Sequence, residues 1–348
     1  MTSILTVPTL DDVAQEAGVS PATVSRAINN PDKVSKDKVE RIMSAIDRLG
    51  YTPNFGARFM AAKRTFTIGA IIPTMENAIF ARGIQAFQEQ LRHHGYTLLV
   101  SSSAYDPETE AEQVRALANR GADGILLIGY WRDQAVYDYL QHRGLPVLLA
   151  WAFAANNALT AIGFDNRAAM YRLCDLALSK GHRDVAIISG IVEGNDRAAN
   201  RLKGIFERLR AEGIDTDTVP VIETPYDIAN GRDAFAKIMA QDKKPTVVMC
   251  GNDVLAVGAI QMATEMGLSV PQDISITGFD GIELADIITP KLTTVFVPHA
   301  DMGRRAADEI VDMLEHNKPG TSQELESTIR EGGSLAAPRG QDRSTAQG

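Results

Sequence analysis

The chain has 348 residues, 45% of them hydrophobic, and it carries 35 Lys and Arg against 44 Asp and Glu, for a net charge of −9. This length predicts two or three domains with sizeable cores. No run of about 18 apolar residues occurs, which excludes a membrane-spanning helix. Residues 1–8 lack a secretory pattern, so we expect a cytoplasmic protein. Cys174 and Cys250 lie in apolar surroundings, which indicates buried, reduced thiols.

The charge is unevenly distributed along the chain. Residues 1–64 contain nine Lys and Arg against seven Asp and Glu, so this segment is at +2 and the remainder is at −11. A mildly cationic segment on an acidic body fits a small nucleic-acid-binding module attached to a larger domain. The asymmetry is too small to establish that interpretation by itself.

Residues 9–29 predict two short helices around a tight turn. Thr9 suits the N-cap of the first helix, with Asp12 as the acid of a capping box. Gly18 provides the break, and Ser20 caps a second helix whose first position is Pro21. The residues that can turn inward are Leu10, Val13, Ala14, Ala17, Val24, Ala27 and Ile28, and those that turn outward from the second helix are Ala22, Thr23, Ser25 and Arg26. Small, hydroxylated and cationic side chains on one face suit a DNA major groove, although an ordinary capped helical hairpin shares this pattern.

A third helix is predicted over residues 35–49, and residues 51–64 follow it as a linker. Asn54 can cap a short helix in this linker, but Gly56 weakens that helix by about 1 kcal/mol relative to Ala. The apolar residues of the segment have no obvious partner in the chain. We therefore predict a linker that becomes helical only with a partner.

From residue 65 onwards, short apolar runs alternate with helical stretches. Such runs are typical of strands buried on both faces, and the alternation predicts parallel sheets built from βαβ units. The predicted strands are residues 67–72, 97–102, 124–129, 147–151, 160–164, 185–189, 219–223, 247–250, 274–278 and 294–297. The helical stretches between them include residues 82–94, 108–120, 166–180, 200–212, 231–241 and 254–266. This many strands indicates two doubly wound subdomains in tandem.

Several motifs occur in a characteristic order and spacing. In the N-terminal part they are TLDDVAQEAGVSPATVSRAINNP, VSKDKVERIMSAIDRLGYTPN and NFGARFMAAKRTFTIGAIIP. In the remainder they include GADGILLIG, IGFDN, GHRDVAIISG, NRLKGIFERLRAEGI, CGNDVLAVGAIQMATEMGLSVPQDISITGFD and PKLTTVFVP. Over about residues 9–335 the chain closely resembles the lactose-repressor family of bacterial transcription regulators.

This resemblance implies an all-α helix-turn-helix head, a hinge helix and an α/β body of two tandem doubly wound parallel-sheet subdomains, similar to periplasmic sugar-binding proteins. It also implies a homodimer. We place the DNA-binding head at residues 1–50, the hinge at 51–64 and the effector-binding and dimerisation domain at 65–335. The composition from about residue 332 onwards predicts disorder, and we assign residues 336–348 as a disordered tail.

The resemblance assigns the DNA-reading residues of the second helix. Pro21, Ala22 and Arg26 face base edges, and Arg26 can bridge O6 and N7 of a guanine. Pro21 and Ala22 offer only apolar contact, so selectivity depends on Arg26, thymine methyl groups and DNA deformability. The residues assigned to phosphate contacts are Ser20, Thr23, Ser25 and Asn29. For Thr23 and Ser25 the alternative is solvated helix surface.

The resemblance also assigns two residues of the hinge, Asn54 and Met60, to the DNA-binding surface. In the family, a Leu of the hinge helix wedges into the central base step of the minor groove and kinks the duplex, and Met60 takes that position here. Met60 is more flexible than Leu, and Gly56 stands where a better helix former is usual.

Ligands of doubly wound sheets bind beyond the carboxyl ends of strands. Aromatic, acidic, amide and cationic side chains follow the predicted strands, a set typical of a carbohydrate site. The candidate effector-binding residues are Ile79, Phe80, Tyr130, Trp151, Asp165, Arg201, Tyr226, Asn252 and Asp280. The resemblance implies that Arg201, Asn252 and Asp280 hold the effector and that Tyr226 stacks on it.

Three of these candidates have alternatives. Asp165 can equally cap the helix that follows it, and Phe80 can equally belong to the core. Trp151 departs from the family pattern, in which many relatives have an acid at this position. This departure indicates a flatter or less polar ligand.

The predicted function is a sequence-specific DNA-binding transcription regulator, a repressor controlled by a small carbohydrate or sugar-acid effector. The alternative is a solute-binding receptor of a transport system, against which the helix-turn-helix head and the missing secretory pattern argue. An enzyme is a third class, but the sequence has no Walker loop, no G-x-G-x-x-G after a strand and no G-x-S-x-G elbow. The six histidines lack metal-ligand spacing, so neither a metal nor a cofactor is predicted.

Overall fold

The computed structural model describes residues 8–51, 64–76 and 78–339. The chain divides into two compact units, Met1–Thr65 and Phe66–Gly348, which we call the head and the body. In the described ranges, no helix combines the length and the apolar character needed to cross a membrane.

Three helices form the head: α1 (Leu10–Ala17), α2 (Pro21–Asn29) and α3 (Lys36–Leu49), with a short 3-10 helix at Pro31–Lys33. The predicted capping box begins α1. The Oγ1 atom of Thr9 accepts a hydrogen bond from the Asp12 backbone N–H, and Asp12 Oδ2 accepts one from the Thr9 backbone N–H at 2.7 Å. Hydrogen bonds from the side chain and backbone of Thr9 lower the pKa of Asp12.

The turn between α1 and α2 depends on Gly18, whose φ of +63° lies in the left-handed region that favours glycine. Ser20 then caps α2, and its Oγ accepts a hydrogen bond from the Thr23 backbone N–H at 3.3 Å. The core that joins the three helices consists of Val13, Ala14, Ala17, Val24, Ala27, Ile42, Ala45 and Tyr51. The residues predicted to turn inward all belong to this core or pack against it.

The first subdomain of the body alternates strands and helices. They are β1 (Thr67–Ile72), α4 (Ala78–His93), β2 (Thr97–Ser102), α5 (Pro107–Asn119), β3 (Gly124–Ile128), α6 (Gln134–His142), β4 (Val147–Ala150) and β5 (Ala161–Gly163). The strands lie side by side in the order β2, β1, β3, β4, β5, and all neighbours are parallel. Every residue of β1 and β3 is buried, as expected for strands covered by helices on both faces.

The rest of the chain forms the second subdomain and two elements that return to the first. The elements are α7 (Asn166–Ser179), β6 (Val185–Gly190), α8 (Asp196–Ala211), a 3-10 helix (Thr216–Thr218), β7 (Val221–Thr224), α9 (Ile228–Met239), β8 (Val247–Cys250), α10 (Asp253–Glu265), β9 (Ser275–Asp280), α11 (Glu283–Ile287), β10 (Thr293–Phe296), α12 (His299–His316), β11 (Gln323–Glu324) and β12 (Thr328–Arg330). The second sheet has the order β7, β6, β8, β9, β10, β12, in which β12 alone is antiparallel to its neighbour. The predicted tandem of two doubly wound subdomains is confirmed.

Cys174 and Cys250 are buried free thiols that form no disulfide, as predicted, and burial raises the pKa of both thiols.

The described chain passes between the two sheets three times. After β5 it enters α7 and the second sheet, and after β10 it returns through α12, which packs against α4 of the first subdomain. After β11, at the edge of the first sheet, it crosses again to β12. Crossings of this kind can act as a hinge when two subdomains close on a ligand.

The C-terminal region differs from the prediction. The sequence does not predict β11 and β12, because these short strands, with the sequences QE and TIR, contain no apolar run. The prediction of disorder from about residue 332 is wrong for residues 332–339, because residues 332–336 pack against the second sheet and Arg339 forms an ion pair with Asp273. Ser334 is fully buried and its Oγ donates to the Ile276 carbonyl at 2.6 Å, while the Ala336 carbonyl accepts from a His182 ring nitrogen at 2.8 Å. Residues 340–348 lie outside the described residues.

Candidate effector cleft and DNA-binding surface

A cleft between the two subdomains of the body gathers aromatic and charged side chains beyond the carboxyl ends of strands. Its inner cavity is lined by five residues predicted for the effector site, namely Ile79, Phe80, Trp151, Arg201 and Tyr226. Three residues that the sequence prediction does not include complete the lining, namely Tyr105, Asn195 and Arg197. The cleft continues toward solvent as a wider mouth of about 630 Å³, where Met75 and Ile191 are exposed.

Arg201 is the most extensively bonded side chain of the cavity. Its guanidinium donates to Asn166 Oδ1 and to the Gly251 carbonyl, both at 2.8 Å, and to Asp280 Oδ1 at 3.3 Å. Its Cζ atom lies 3.8 Å from the centre of the Phe279 ring. Charge-assisted hydrogen bonds in a buried site are strong, so these contacts hold the guanidinium in one orientation.

Asp280, the last residue of β9, has one carboxylate oxygen engaged and one free. Its Oδ1 accepts from Arg201, whereas the buried Oδ2 has no hydrogen-bond partner within the described residues. Burial raises the pKa of Asp280 to about 6, against the lowering effect of Arg201 and Arg197. The backbone φ of Asp280 is +103°, a strained value for a residue with a side chain. A buried acceptor without a donor can be satisfied by a ligand hydroxyl or by an ordered water molecule.

Asn252 and Asp253 lie behind Asp280, at the start of α10. The Oδ1 atom of Asn252 caps this helix by accepting from the Leu255 backbone N–H at 2.9 Å, and its buried Nδ2 has no partner in the described part of the chain. Asp253 accepts from Thr294 Oγ1 at 2.5 Å and from a backbone N–H. Burial, and then the charge of Asp280, raise the pKa of Asp253 well above its usual value.

Trp151 connects the two subdomains through a histidine. The indole Nε1 donates to His299 Nδ1 at 3.1 Å, so the proton of the neutral imidazole lies on Nε2, which donates to the Asp280 carbonyl at 3.1 Å. Asn166 Nδ2 donates to the Trp151 carbonyl at 3.0 Å. The indole N–H and the backbone carbonyl of Trp151 are therefore both satisfied within the protein, and its ring remains available as an apolar wall.

We expect His299 to make the stability of this link depend on pH. Burial lowers the pKa of His299 to about 4 in the folded protein, whereas the same imidazole has a pKa near 6.5 in the unfolded chain. The contribution of the neutral imidazole is thus fully present above pH 6.5 and is lost between pH 6.5 and 4, by up to about 3 kcal/mol.

Asp280 opposes this effect in the same range, because its raised pKa favours proton uptake by the folded state. Urea unfolding of the wild type and His299→Gln separates the two groups. The wild type should exceed the variant in free energy of unfolding at pH 7.5, and the gap should shrink at pH 5. An equal gap at both pH values would contradict the assignment.

Aromatic rings from both subdomains form the walls of the cavity. Phe80 and Trp151 meet edge to face with ring centroids 5.4 Å apart, and Tyr105 and Tyr226 have centroids 6.0 Å apart. Phe80 is 3% exposed, so it belongs to the core and also lines the cavity. A side chain at Gly190 would overlap the Tyr226 ring, so the glycine that ends β6 makes room for this wall.

Four predicted residues do not line this cavity, namely Tyr130, Asp165, Asn252 and Asp280, and the last two are buried behind it. The ring of Tyr130 packs against the outer core of the first sheet, and its hydroxyl accepts from the Ala154 backbone N–H at 3.0 Å. The Tyr130 backbone N–H bridges the cleft by donating to Asp196 Oδ2 at 2.8 Å. Asp165 caps α7, where its Oδ1 accepts from the Ala168 backbone N–H at 2.9 Å, so the capping alternative is observed.

The head presents the predicted DNA-reading residues on one face of α2. Pro21, Ala22, Ser25 and Arg26 are exposed on the side opposite the three-helix core, and Ser20 is exposed at the N-cap. Thr23 is half-buried, with its Oγ1 2.9 Å from Ser20 Oγ. Asn29 is the last residue of α2. Asn54 and Met60 lie outside the described residues.

Two family descriptions match separate parts of the chain. "Bacterial regulatory proteins, lacI family" matches residues 9–54, and "Periplasmic binding protein-like domain" matches residues 174–335. The chain is 31% identical to catabolite control protein A of Priestia megaterium over 295 residues, which cover 85% of this chain and 89% of that protein. It is 32% identical to the HTH-type transcriptional repressor PurR of Klebsiella pneumoniae over 320 residues, which cover 91% and 93%. The chain belongs to the lacI family.

Solved structures of regulators share the fold of this lacI-family chain. A LacI-family transcriptional regulator from Silicibacter pomeroyi aligns with a TM-score of 0.86 at 26% identity, covering 94% of this chain and 99% of that one. A complex of the transcriptional regulator CelR with cellobiose aligns with a TM-score of 0.70 at 25% identity, covering 94% and 99%. These relatives are named as regulators, not as enzymes.

The sequence prediction for this lacI-family body misses Tyr105, Asn195 and Arg197. Asn195 and Arg197 follow β6 and open α8, so their position just past a strand end is a signal that could have found them. Tyr105 follows β2 and carries the same signal, but its orientation also depends on a left-handed backbone, with φ of +61°, which the sequence does not indicate.

Proposed function

We propose that this lacI-family chain is a sequence-specific DNA-binding repressor whose operator affinity is controlled by a small carbohydrate or sugar acid in the cleft. This proposal rests on Arg201, which lines the cavity among aromatic rings and is paired with Asp280, whose buried Oδ2 has no partner within the described residues. Polar groups of this kind bind hydroxyls while rings stack on the apolar face of a sugar. The structurally similar regulator CelR is solved with cellobiose, a carbohydrate.

The DNA-binding role rests on the head. In this proposal Arg26 reads a base edge with Pro21 and Ala22 beside it, and the polar residues of the same helix hold phosphates. Those residues are Ser20, Thr23, Ser25 and Asn29. The chain acts as a homodimer in the cytoplasm, with the DNA-binding domain at residues 1–50, the hinge at 51–64 and the effector-binding domain at 65–335.

Selection of duplexes from a random pool by the purified full chain tests this role. A dimer should enrich a short palindrome whose half-sites lie about one helical turn apart. Light scattering of the free protein should give the mass of a dimer. A pool without an enriched palindrome, from a protein that still binds sugars, would instead favour a solute-binding receptor.

The hinge provides the coupling between effector and operator in this proposal. Met60→Ala should reduce DNA bending and operator affinity while leaving effector affinity unchanged, because it removes the apolar wedge from the minor groove. Met266→Ala is the matched control, since Met266 is an exposed methionine of the body. Unchanged bending by Met60→Ala in a circular-permutation assay would remove Met60 from the wedge role.

A further inference from the structure

Arg197 is a buried cation without a partner in the described part of the protein. It lies in the first turn of α8, is 7% exposed, and makes no hydrogen bond or ion pair with the described residues. Its guanidinium sits directly over the backbone of Gly129, since a Cβ built on Gly129 would lie 2.7 Å from Arg197 Nη1. Buried charges are normally paired, because leaving one unpaired costs several kcal/mol of desolvation.

The carboxylates around Arg197 are committed elsewhere. Asp196, its neighbour in sequence, accepts from the Tyr130 backbone N–H across the cleft. Asp280 is paired with Arg201, and Glu110 accepts from Arg132 Nε at 2.9 Å. In the described residues no carboxylate therefore forms an ion pair with Arg197, although Asp196 Oδ1 also lies next to Gly129 and Arg197 interacts electrostatically with Asp280.

Arg197 also faces the space that an effector would fill. It lines the inner cavity together with Tyr105, Tyr226 and Arg201, and it lines the adjoining recess beside Ser103. The guanidinium fork matches the two oxygens of a carboxylate, and a tyrosine hydroxyl can donate to the same group. While it is ionised, the Asp280 carboxylate can only accept hydrogen bonds, and its unpartnered Oδ2 can accept one from a sugar hydroxyl.

We propose that the effector is a sugar acid, bound with its carboxylate on the Arg197 guanidinium and a hydroxyl on Asp280 Oδ2. This inference rests on the proposed function and narrows its two effector classes to one. A neutral sugar would leave the buried Arg197 guanidinium without a carboxylate partner, and the acid supplies one.

Isothermal titration of the full chain with matched probes tests this assignment. The acids D-gluconate, D-galactonate, D-glucuronate and D-galacturonate are each compared with the neutral D-glucitol, D-galactitol, D-glucose and D-galactose of the same configuration. At least one acid should bind tenfold or more tightly than its neutral match. Arg197→Gln should weaken that acid by at least tenfold, and Arg197→Lys should weaken it less, because Lys keeps the charge without the fork.

Lys203→Gln is the control, because Lys203 is a more accessible cation of the same helix α8 that does not line the cavity. It should bind the acid as the wild type does. A second measurement needs no ligand: the Tm of Arg197→Gln should equal or exceed that of the wild type, since the variant removes an unpaired buried charge.

Three results would each overturn the inference. The first is tighter binding of a neutral probe than of its matching acid. The second is equal binding of the acid by Arg197→Gln and the wild type, and the third is a Tm of Arg197→Gln several degrees below that of the wild type. The first of these results leaves the proposed function intact, because a neutral sugar would still be the effector. Failure of every acid and every neutral probe to bind would overturn the inference together with the carbohydrate part of the proposed function. The palindrome selection would then show separately whether the DNA-binding part holds.

Discussion

Arg201→Met should lower the free energy of unfolding by about 3–5 kcal/mol and abolish effector binding. The variant leaves the buried carboxylate of Asp280 without its ion-pair partner and leaves Asn166 Oδ1 and the Gly251 carbonyl without a donor. Urea unfolding at pH 7 measures the loss of stability. Arg197→Met is the matched control, because it removes a guanidinium that has no such bonds within the described residues, and it should be neutral or stabilising.

The pH dependence of this loss tests its cause. The pKa of Asp280 is already raised to about 6 by burial, and removing Arg201 takes away the main group that lowers it. The carboxyl should therefore take up a proton more readily in the variant, and the difference from the wild type should shrink at pH 5. A loss that is the same at pH 5 and pH 7 would mean that packing, not the unpaired charge, destabilises the variant.

Arg26→Ala should reduce operator affinity by about 1–3 kcal/mol per half-site, hence by about 2–6 kcal/mol for a dimer that uses both half-sites. Pro21 and Ala22, its neighbours on the exposed face of α2, cannot donate hydrogen bonds to bases, so the proposed base reading is concentrated in one guanidinium. Fluorescence anisotropy on the selected operator and on a random duplex measures both affinities.

The two duplexes distinguish base reading from simple electrostatics. Binding to the random duplex should fall much less than binding to the operator, and selectivity at one base pair of each half-site should relax. Ser25→Ala is the control, because it removes a proposed phosphate interaction from the same helix and should weaken both duplexes by a similar, smaller factor. Equal losses on operator and random DNA by Arg26→Ala would assign Arg26 to a phosphate.

The fold is largely predictable from the sequence because its strands are apolar and its helices have recognisable caps. Every predicted strand lies within two residues of an observed one, since a buried run such as β3 has a sharp compositional boundary. Helices begin up to four residues before their predicted starts, as α4 and α8 show. The first turn of α8 begins at the Asn195 cap and lacks apolar periodicity, whereas the first turn of α4 contains Ile79 and Phe80, which the sequence analysis assigned to the effector site.

The sequence predicts the candidate site correctly only where a residue that follows a strand also turns its side chain into the cavity. Arg201 and Tyr226 line the cavity, but Tyr130 turns into the outer core and Asp165 caps a helix. Which way such a side chain turns depends on contacts between distant segments, and periodicity does not record these. Arg197 shows the same difficulty, because the sequence places this cation in the first turn of a helix but does not indicate that it is buried.

Operator affinity measured with and without a bound sugar acid tests most directly whether the cleft controls the head. The acid that binds wild type should change the operator Kd by a factor in the range of about 5–150, and the operator should change the Kd of the acid by the same factor. Both quantities come from anisotropy and calorimetry on the full chain. An acid that binds the body through Arg197 yet leaves operator affinity unchanged would contradict the proposed control.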